Sequence, residues 1–266
     1  MSQDVPAPSV VARSLNHGAG ISVASHTHPR GQFGVVTRGT MTLLGEAGWW
    51  LAPPGQGVWV PPGVVHEARY SESSALIQLL LDPALTTPLP EQCRTIVVSG
   101  LLRELAREAV RLGAAGGQDE TLTLIARLIV QQIAQPGGGP PLFVPLGRDS
   151  RLRRVIERLR QDPGLDATLD ELAEPAGSSP RTLARLFVAE TGMTFGRWRE
   201  HLRIVAAVDR LARGESITRT ALALGYQSSS SFTTMFTRTL GLPPGRYVQE
   251  WRRAAGGAGR QGSSFS

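Results

Sequence analysis

Two stretches near the C-terminal end of this 266-residue chain carry the same punctuation. Phe187, Gly192, Gly196, Arg197 and Trp198 recur as Phe236, Gly241, Gly245, Arg246 and Tyr247, each 49 positions further on. Leu183 stands four before the first phenylalanine and Phe232 four before the second. Gly177 and Gly225 mark a turn ahead of each copy, with one extra residue in the second. A repeat of this kind means one supersecondary unit used twice, which constrains the architecture more than any single motif.

The chemistry of one copy is local. TLDELAE reads as a short amphipathic helix on Leu169 and Leu172, ended by Pro175 and Gly177. Ser179 has the side chain of an N-cap, and Pro180 suits the first helical position, where no amide donor is needed. Leu183, Leu186 and Phe187 then fall at i, i+3, i+4 and face a core, while Arg181, Thr182, Ala184 and Arg185 face away. Gly192 closes the helix. In the second copy Ala221 and Leu224 precede the turn, and Phe232 and Phe236 anchor the following helix. Short helix, tight turn and second helix with an outward polar face make a helix-turn-helix, whose second helix enters the major groove of DNA. Between the copies, FGRWREHLRIVAAVDRLARG places Trp198, Leu202, Val205 and Leu211 at helical spacing. Some 20 residues make a rod of roughly 30 Å, close to the roughly 34 Å between successive major grooves. One chain could therefore set two reading helices in adjacent grooves.

Residues 148 to 253, with the two-copy layout and the run ALALGYQSSSSF…MF…LG…PPGRY, resemble the DNA-binding domain of AraC/XylS-type bacterial transcription regulators. The resemblance implies reading helices at Pro180 to Glu190 and Ser229 to Leu240, both facing double-stranded promoter DNA. It implies DNA-facing positions at Pro180, Arg181, Thr182, Ala184, Arg185, Ser229, Ser230, Thr233 and Thr234. Pro175 and Ser178 depart from the charged and apolar residues usual there. The serine- and threonine-rich second helix offers little bidentate base readout, so the first is expected to carry most specificity.

Charge placement agrees. Residues 1–147 hold nine arginines and ten acids, net −1, whereas residues 148–266 hold nineteen and twelve, net +7. A polyanion partner for the repeat half is the natural reading, though a soluble basic surface alone would look the same. Cys93 is the only cysteine, which excludes an internal disulfide and a thiolate cluster. The start, MSQDVPAPSVVARS, shows no export signal, and no apolar run nears the roughly 20 residues that span a bilayer. The expectation is a cytoplasmic protein with no membrane partner.

Residues 20 to 81 alternate strand-like runs with Gly/Pro turns, which predicts a small antiparallel barrel or sandwich. His26 and His28 differ by two, so on one strand both point to one face. With Gln32 and His66, which follows the turn Pro61-Pro62-Gly63, they form a ligand set suited to a divalent transition metal. This stretch resembles the cupin superfamily: Gly20, His26-Thr27-His28, Gln32 and Gly39 match its first motif, and Gly55, Pro61, Pro62, Gly63 and His66 its second. Gln32 stands where a glutamate ligand is usual, and Tyr70 where asparagine often sits. Such a barrel also serves regulators as a metal-free effector pocket. His17 is read as surface, and Trp49, Trp50 and Trp59 as packing.

TIVVSGLLRELAREAVRLG and ETLTLIARLIVQQIA predict two amphipathic helices, with Leu101, Leu102, Leu105, Ala109 and Leu112 on one stripe and Leu122, Ile125, Leu128, Ile129 and Ile133 on the other. They could cover the barrel or form a homodimer seam. Arg103, Glu104, Arg107, Glu108 and Arg111 read as a solvated face with i,i+4 pairs. The arginines at 151, 153, 154, 158 and 160 read as another, able to touch phosphates.

The expected architecture is α+β and multidomain. A cupin-like barrel occupies 1–90, a coupling helical segment 91–135, a Pro/Gly linker 136–147, an all-α double helix-turn-helix domain 148–255 and a disordered tail 256–266. The expected function is a sequence-specific transcriptional regulator, not an enzyme, controlled by a small-molecule or metal effector. The rivals are a metal-dependent cupin dioxygenase or isomerase with a DNA-binding appendage, and a nucleoid-type binder without sequence preference.

Overall fold

The computed structural model describes residues 9–114, 120–135 and 142–256. In chain order its elements are β1 (Val10–His17), β2 (Ser22–His26), β3 (Gly31–Arg38), β4 (Met41–Gly45), β5 (Gly48–Ala52), β6 (Gln56–Val60), β7 (His66–Arg69), β8 (Ser74–Leu81), α1 (Pro83–Thr86), β9 (Arg94–Val97), α2 (Gly100–Ala114), α3 (Glu120–Ala134), β10 (Phe143–Pro145), α4 (Ser150–Gln161), α5 (Leu169–Ala173), α6 (Pro180–Thr191), α7 (Phe195–Ala212), α8 (Ile217–Ala223), α9 (Ser229–Leu240) and α10 (Pro244–Gly256). The expected division into a strand-rich N-terminal half and a helical C-terminal half holds. Two compact units result: residues up to 41 and from 52 to 135 in one, residues 42–51 and 142–253 in the other.

The first unit is built on the antiparallel order β1-β8-β3-β6-β9. β8, SALIQLLL, buries Ile77, Leu79 and Leu81 on one face and Leu76 on the other. With Phe33 and Val35 on β3, the first three present an apolar face that must be covered. Helices α2 and α3 cover it with Leu102, Ala106, Ala109, Leu122, Ile125, Ile129 and Ile133, and Trp59 closes the same core. Full burial of each large side chain contributes about 1.5–3 kcal/mol. Arg94 on β9 donates to the carbonyls of Ile133 and Gln135, capping the end of α3. Beside this sheet, β2 pairs with β7.

Several expectations are corrected here. Thr95 to Val97 belongs to β9, paired with β6, so the first helix starts at Gly100. Leu101 and Leu128 do not join the buried stripes; they are 56% and 50% exposed. The ion pairs of α2 close at i,i+3, Arg107 with Glu104 and Arg111 with Glu108, not at i,i+4. His17 is half-buried and stacks on Tyr70 at 4.0 Å between ring centroids, with its Nε2 enclosed, so it is not a surface residue. Of the expected linker, 136–141 lies outside the described residues, whereas 143–145 is strand β10. The expected tail from 257 onward also lies outside them.

The second unit is organised on α7, whose Trp198, Leu202, Ile204, Val205, Val208 and Leu211 are buried. Around it pack Leu152, Val155, Ile156 and Leu159 of α4, Leu183 and Phe187 of α6, and Phe232, Met235 and Phe236 of α9. Trp49, Leu51, Leu142 and Val144 belong to the same core. They arrive because β10 pairs with β5, with Phe143 opposite Trp50 and Pro145 opposite Gly48. The amides of Leu51 and Leu146 extend this pairing to the carbonyls of Leu142 and Ala47. Across from the hairpin, Trp198 Nε1 donates to the Pro145 carbonyl at 2.9 Å and His201 Nε2 to that of Phe143 at 2.5 Å. A short strap is thereby clamped between the hairpin and the long helix. No helix among the described residues is long and apolar enough to cross a membrane.

Candidate functional site

Antiparallel pairing of β2 with β7 brings the two histidine stretches together. Across that pair His26 lies opposite His66, just after a bulge. His28 stands two residues beyond the end of β2, so the expected single strand carrying both histidines stops at His26. The Gly63 amide donates to the His28 carbonyl at 2.9 Å, which holds the Pro61-Pro62-Gly63 turn beside it. Ring centroids are 4.3 Å apart for His26 and His66, 5.0 Å for His28 and His66, and 5.9 Å for His26 and His28. One ring nitrogen from each of the three lies within 4.8 Å of the others.

Local hydrogen bonds fix the imidazole tautomers. Each Nδ1 faces a carbonyl oxygen: Ala24 at 2.8 Å for His26, Arg30 at 2.5 Å for His28 and Val64 at 3.0 Å for His66. A carbonyl can only accept, so each Nδ1 carries a proton, and in a neutral ring so held the lone pair is on Nε2. Nε2 of His28 and of His66 is buried without a hydrogen-bond partner. Burial pushes the His66 pKa below its ordinary value, favouring the neutral ring, and the facing His26 and His28 add to that against the Val64 bond. Gln32 is buried on β3, and its amide oxygen accepts from Gln78 Nε2 at 2.9 Å. The tripod that is assembled has three Nδ1–H groups, each held by a carbonyl, and Gln32 accepts a bond from Gln78 of β8.

The helical unit presents the two expected readers. A capping box joins Thr168 and Glu171 at the start of α5. The chain reverses at Gly177, with φ of 67°, a left-handed conformation that favours glycine. Ser179 caps α6 by accepting from the Thr182 amide, Pro180 follows it, and Gly192 ends the helix in the left-handed conformation. Arg181, Ala184 and Arg185 are exposed, while Thr182 is half-buried and its hydroxyl meets that of Ser179 at 2.9 Å. Gly225, Ser228 and Gly241 repeat the same devices around α9. On that helix Ser230 and Thr234 are exposed and Ser229 and Thr233 half-buried. Ser229 Oγ donates to Thr218 Oγ1, and Thr234 Oγ1 to the Ser230 carbonyl, both at 3.1 Å. Arg238, the arginine of α9, is paired with Glu200 on α7.

Sequence reasoning missed the residues that hold these surfaces. Arg154 donates to the Ala176 carbonyl at the first turn, and Glu190 accepts the amides of Arg148 and Asp149 at the start of α4. Both contacts join positions more than twenty residues apart, so no local pattern announces them. Strap residues 143–145 did carry a signal, the apolar Leu142-Phe143-Val144 inside a Pro/Gly run.

Comparison with known proteins matches residues 9–143 to an AraC-like ligand binding domain and residues 172–250 to a helix-turn-helix domain. The chain is 34% identical to the HTH-type transcriptional regulator NimR of Escherichia coli K12 over 84% of its own length and 81% of that protein's. It is 34% identical to the HTH-type transcriptional regulator RipA of Corynebacterium glutamicum over 47% of this chain and 35% of that one. Among solved structures, ToxT of Vibrio cholerae O395 is similar at 12% identity, over 91% of this chain and 97% of its own, with a TM-score of 0.39.

Proposed function

The chain belongs to the AraC family of transcriptional regulators, with a ligand-binding domain ahead of its helix-turn-helix domain, and on that premise we propose that its effector site is a three-histidine centre for a divalent transition metal. The carrying observation is the set of tautomers. Three Nδ1–H groups are held by backbone carbonyls, which leaves Nε2 as the available ligand atom of each ring, and on His28 and His66 that atom is buried without a partner; one ring nitrogen of each histidine lies within 4.8 Å of the others. Unpartnered buried acceptors are destabilising by about 1–3 kcal/mol each, and a borderline cation is the partner that neutral imidazoles suit. Backbone bonds to the other ring nitrogen are the usual device for orienting histidine ligands. His26, His28 and His66 would hold the ion, and Gln32 stays with Gln78. Bound there, the ion would offer open positions to oxygen or nitrogen donors of a small effector, or serve as the effector itself.

On the DNA side, Arg181, Ala184 and Arg185 of α6 read base edges in one major groove. Pro180 and Thr182 set the helix entry. Ser229, Ser230, Thr233 and Thr234 of α9 line the adjacent groove, with the Ser229 hydroxyl engaged on α8 and that of Thr234 on its own helix. Effector binding changes promoter occupancy to the extent that the effector prefers one arrangement of the protein over another. The protein acts in the cytoplasm, without catalytic turnover, as a homodimer; exposed Leu101, Leu124 and Leu128 on α2 and α3 support the last point.

Elemental analysis of purified full-length protein tests the centre. Near-stoichiometric zinc, nickel, iron or manganese is expected in the native chain and absent from His26→Ala and His66→Ala. Metal-free native protein, even after refilling, would leave a plain pocket for an organic effector.

A further inference from the structure

We propose that the outer face of α4 is a third DNA contact, a clamp on the phosphate backbone beside the first reading helix; it rests on the DNA-binding reading above. Arg153, Arg154 and Arg158 share this face with Glu157 and Gln161, along an open depression of about 520 Å³. They fall at helical spacing opposite the buried Leu152, Val155, Ile156 and Leu159. The acid of this face is already engaged. Arg160 binds both carboxylate oxygens of Glu157 at 2.7 Å, and Gln161 adds a bond to one of them. Among the described residues none of Arg153, Arg154 and Arg158 is in an ion pair. Two of the three are aimed by backbone carbonyls, Arg153 Nε to Gly147 at 3.1 Å and Arg154 Nη2 to Ala176 at 2.6 Å. Each guanidinium has five donors, so most remain available.

Position decides the partner. Ala176 lies in the turn that feeds α6, so Arg154 anchors the basic face at the DNA-entering end of the first reader. Glu190, near the other end of α6, binds the amides that begin α4. α4 is thus fastened alongside the reader at both of that helix's ends. Arg153 and Arg158 are five residues apart, about 7.5 Å along the axis, which spans roughly two phosphate steps of one strand. Cations at that spacing outside any ion pair fit a phosphate backbone better than scattered carboxylates of a protein partner. Because phosphates carry no sequence information, the clamp adds affinity and register, not discrimination.

The test is the salt dependence of binding of the full chain to a random-sequence duplex and to a site selected from a random pool. Each phosphate contact contributes about 0.9 to the logarithmic slope. Arg153→Ala/Arg158→Ala should therefore lower the slope by roughly 2, weaken both duplexes alike, and leave the preference for the selected site and the melting temperature unchanged. Arg153→Lys/Arg158→Lys should restore the slope. An unchanged slope in the alanine variant, with native protein still binding DNA, overturns the clamp and leaves the readers standing. Failure of the native chain to bind either duplex overturns both.

Discussion

Arg185 stands exposed on the second turn of α6, which the proposed reading turns toward a groove. A good bidentate contact there is worth about 1–3 kcal/mol of discrimination against the wrong base. Arg185→Ala should flatten preference at one or two base pairs of a selected site, measured by competition among single-base variants. A uniform loss across all variants would instead make Arg185 a phosphate contact. His201 gives a different kind of prediction. Burial pushes its pKa down, against the opposing effects of its Phe143 bond and of Glu200, so folding favours the neutral ring. The unfolded chain then takes up a proton that the folded one resists. The stability held by His201 is complete above its ordinary value of 6.5 and is lost as pH falls below it. His66 shifts in the same direction, so the comparison must isolate one ring. His201→Gln should show a shallower fall of melting temperature between about pH 7 and pH 5 than the native chain; parallel curves would refute the assignment. Ser179, Pro180 and Gly192 were legible in the sequence because a cap is decided by its immediate neighbours. The partner of His201 was not, because Phe143 lies 58 positions away and nothing at either position specifies the other.

At the scale of elements, the two helix-turn-helix units could be read because each repeats its apolar spacing and its glycine turns. β10 could not, since a three-residue strand is defined only by the hairpin it joins. Leu101 and Leu128 fit their helical stripes by spacing, yet the buried faces of these helices include Ala106, Ala109 and Ala126, each fully enclosed. Small residues there let helix and sheet approach, a preference that hydropathy does not register. Gly48 shows how tight such an approach becomes. A Cβ placed on it would lie 2.2 Å from the Val144 carbonyl oxygen. Gly48→Ala should push the strap from the hairpin, destabilising the fold by about 1–3 kcal/mol as overpacking does. Hydrogen exchange should quicken at the amides of Leu51 and Leu146, which close the strap at its two ends. Native exchange rates at both amides would show that the strap tolerates the methyl group.

Taken whole, the protein divides by function more simply than it divides by chain. The histidine motifs were legible as a set because spacing and turn chemistry survive in one dimension, and β2–β7 pairing brings the three expected histidines together. Gln32, expected beside them, accepts a bond from Gln78, a pairing between strands that sequence order does not reveal. Residues 42–51 fall among barrel strands in the sequence but in the helical unit in space. Trp49 and Leu51 enter the core that supports α4, α6 and α7. That has a practical meaning for anyone building chimaeras. A cassette cut at residue 148 and grafted onto a foreign sensor would leave its donor's hairpin behind, with Trp198 and His201 deprived of the carbonyls they bind. Recombination that keeps the DNA-reading module intact must carry two separate pieces of the gene.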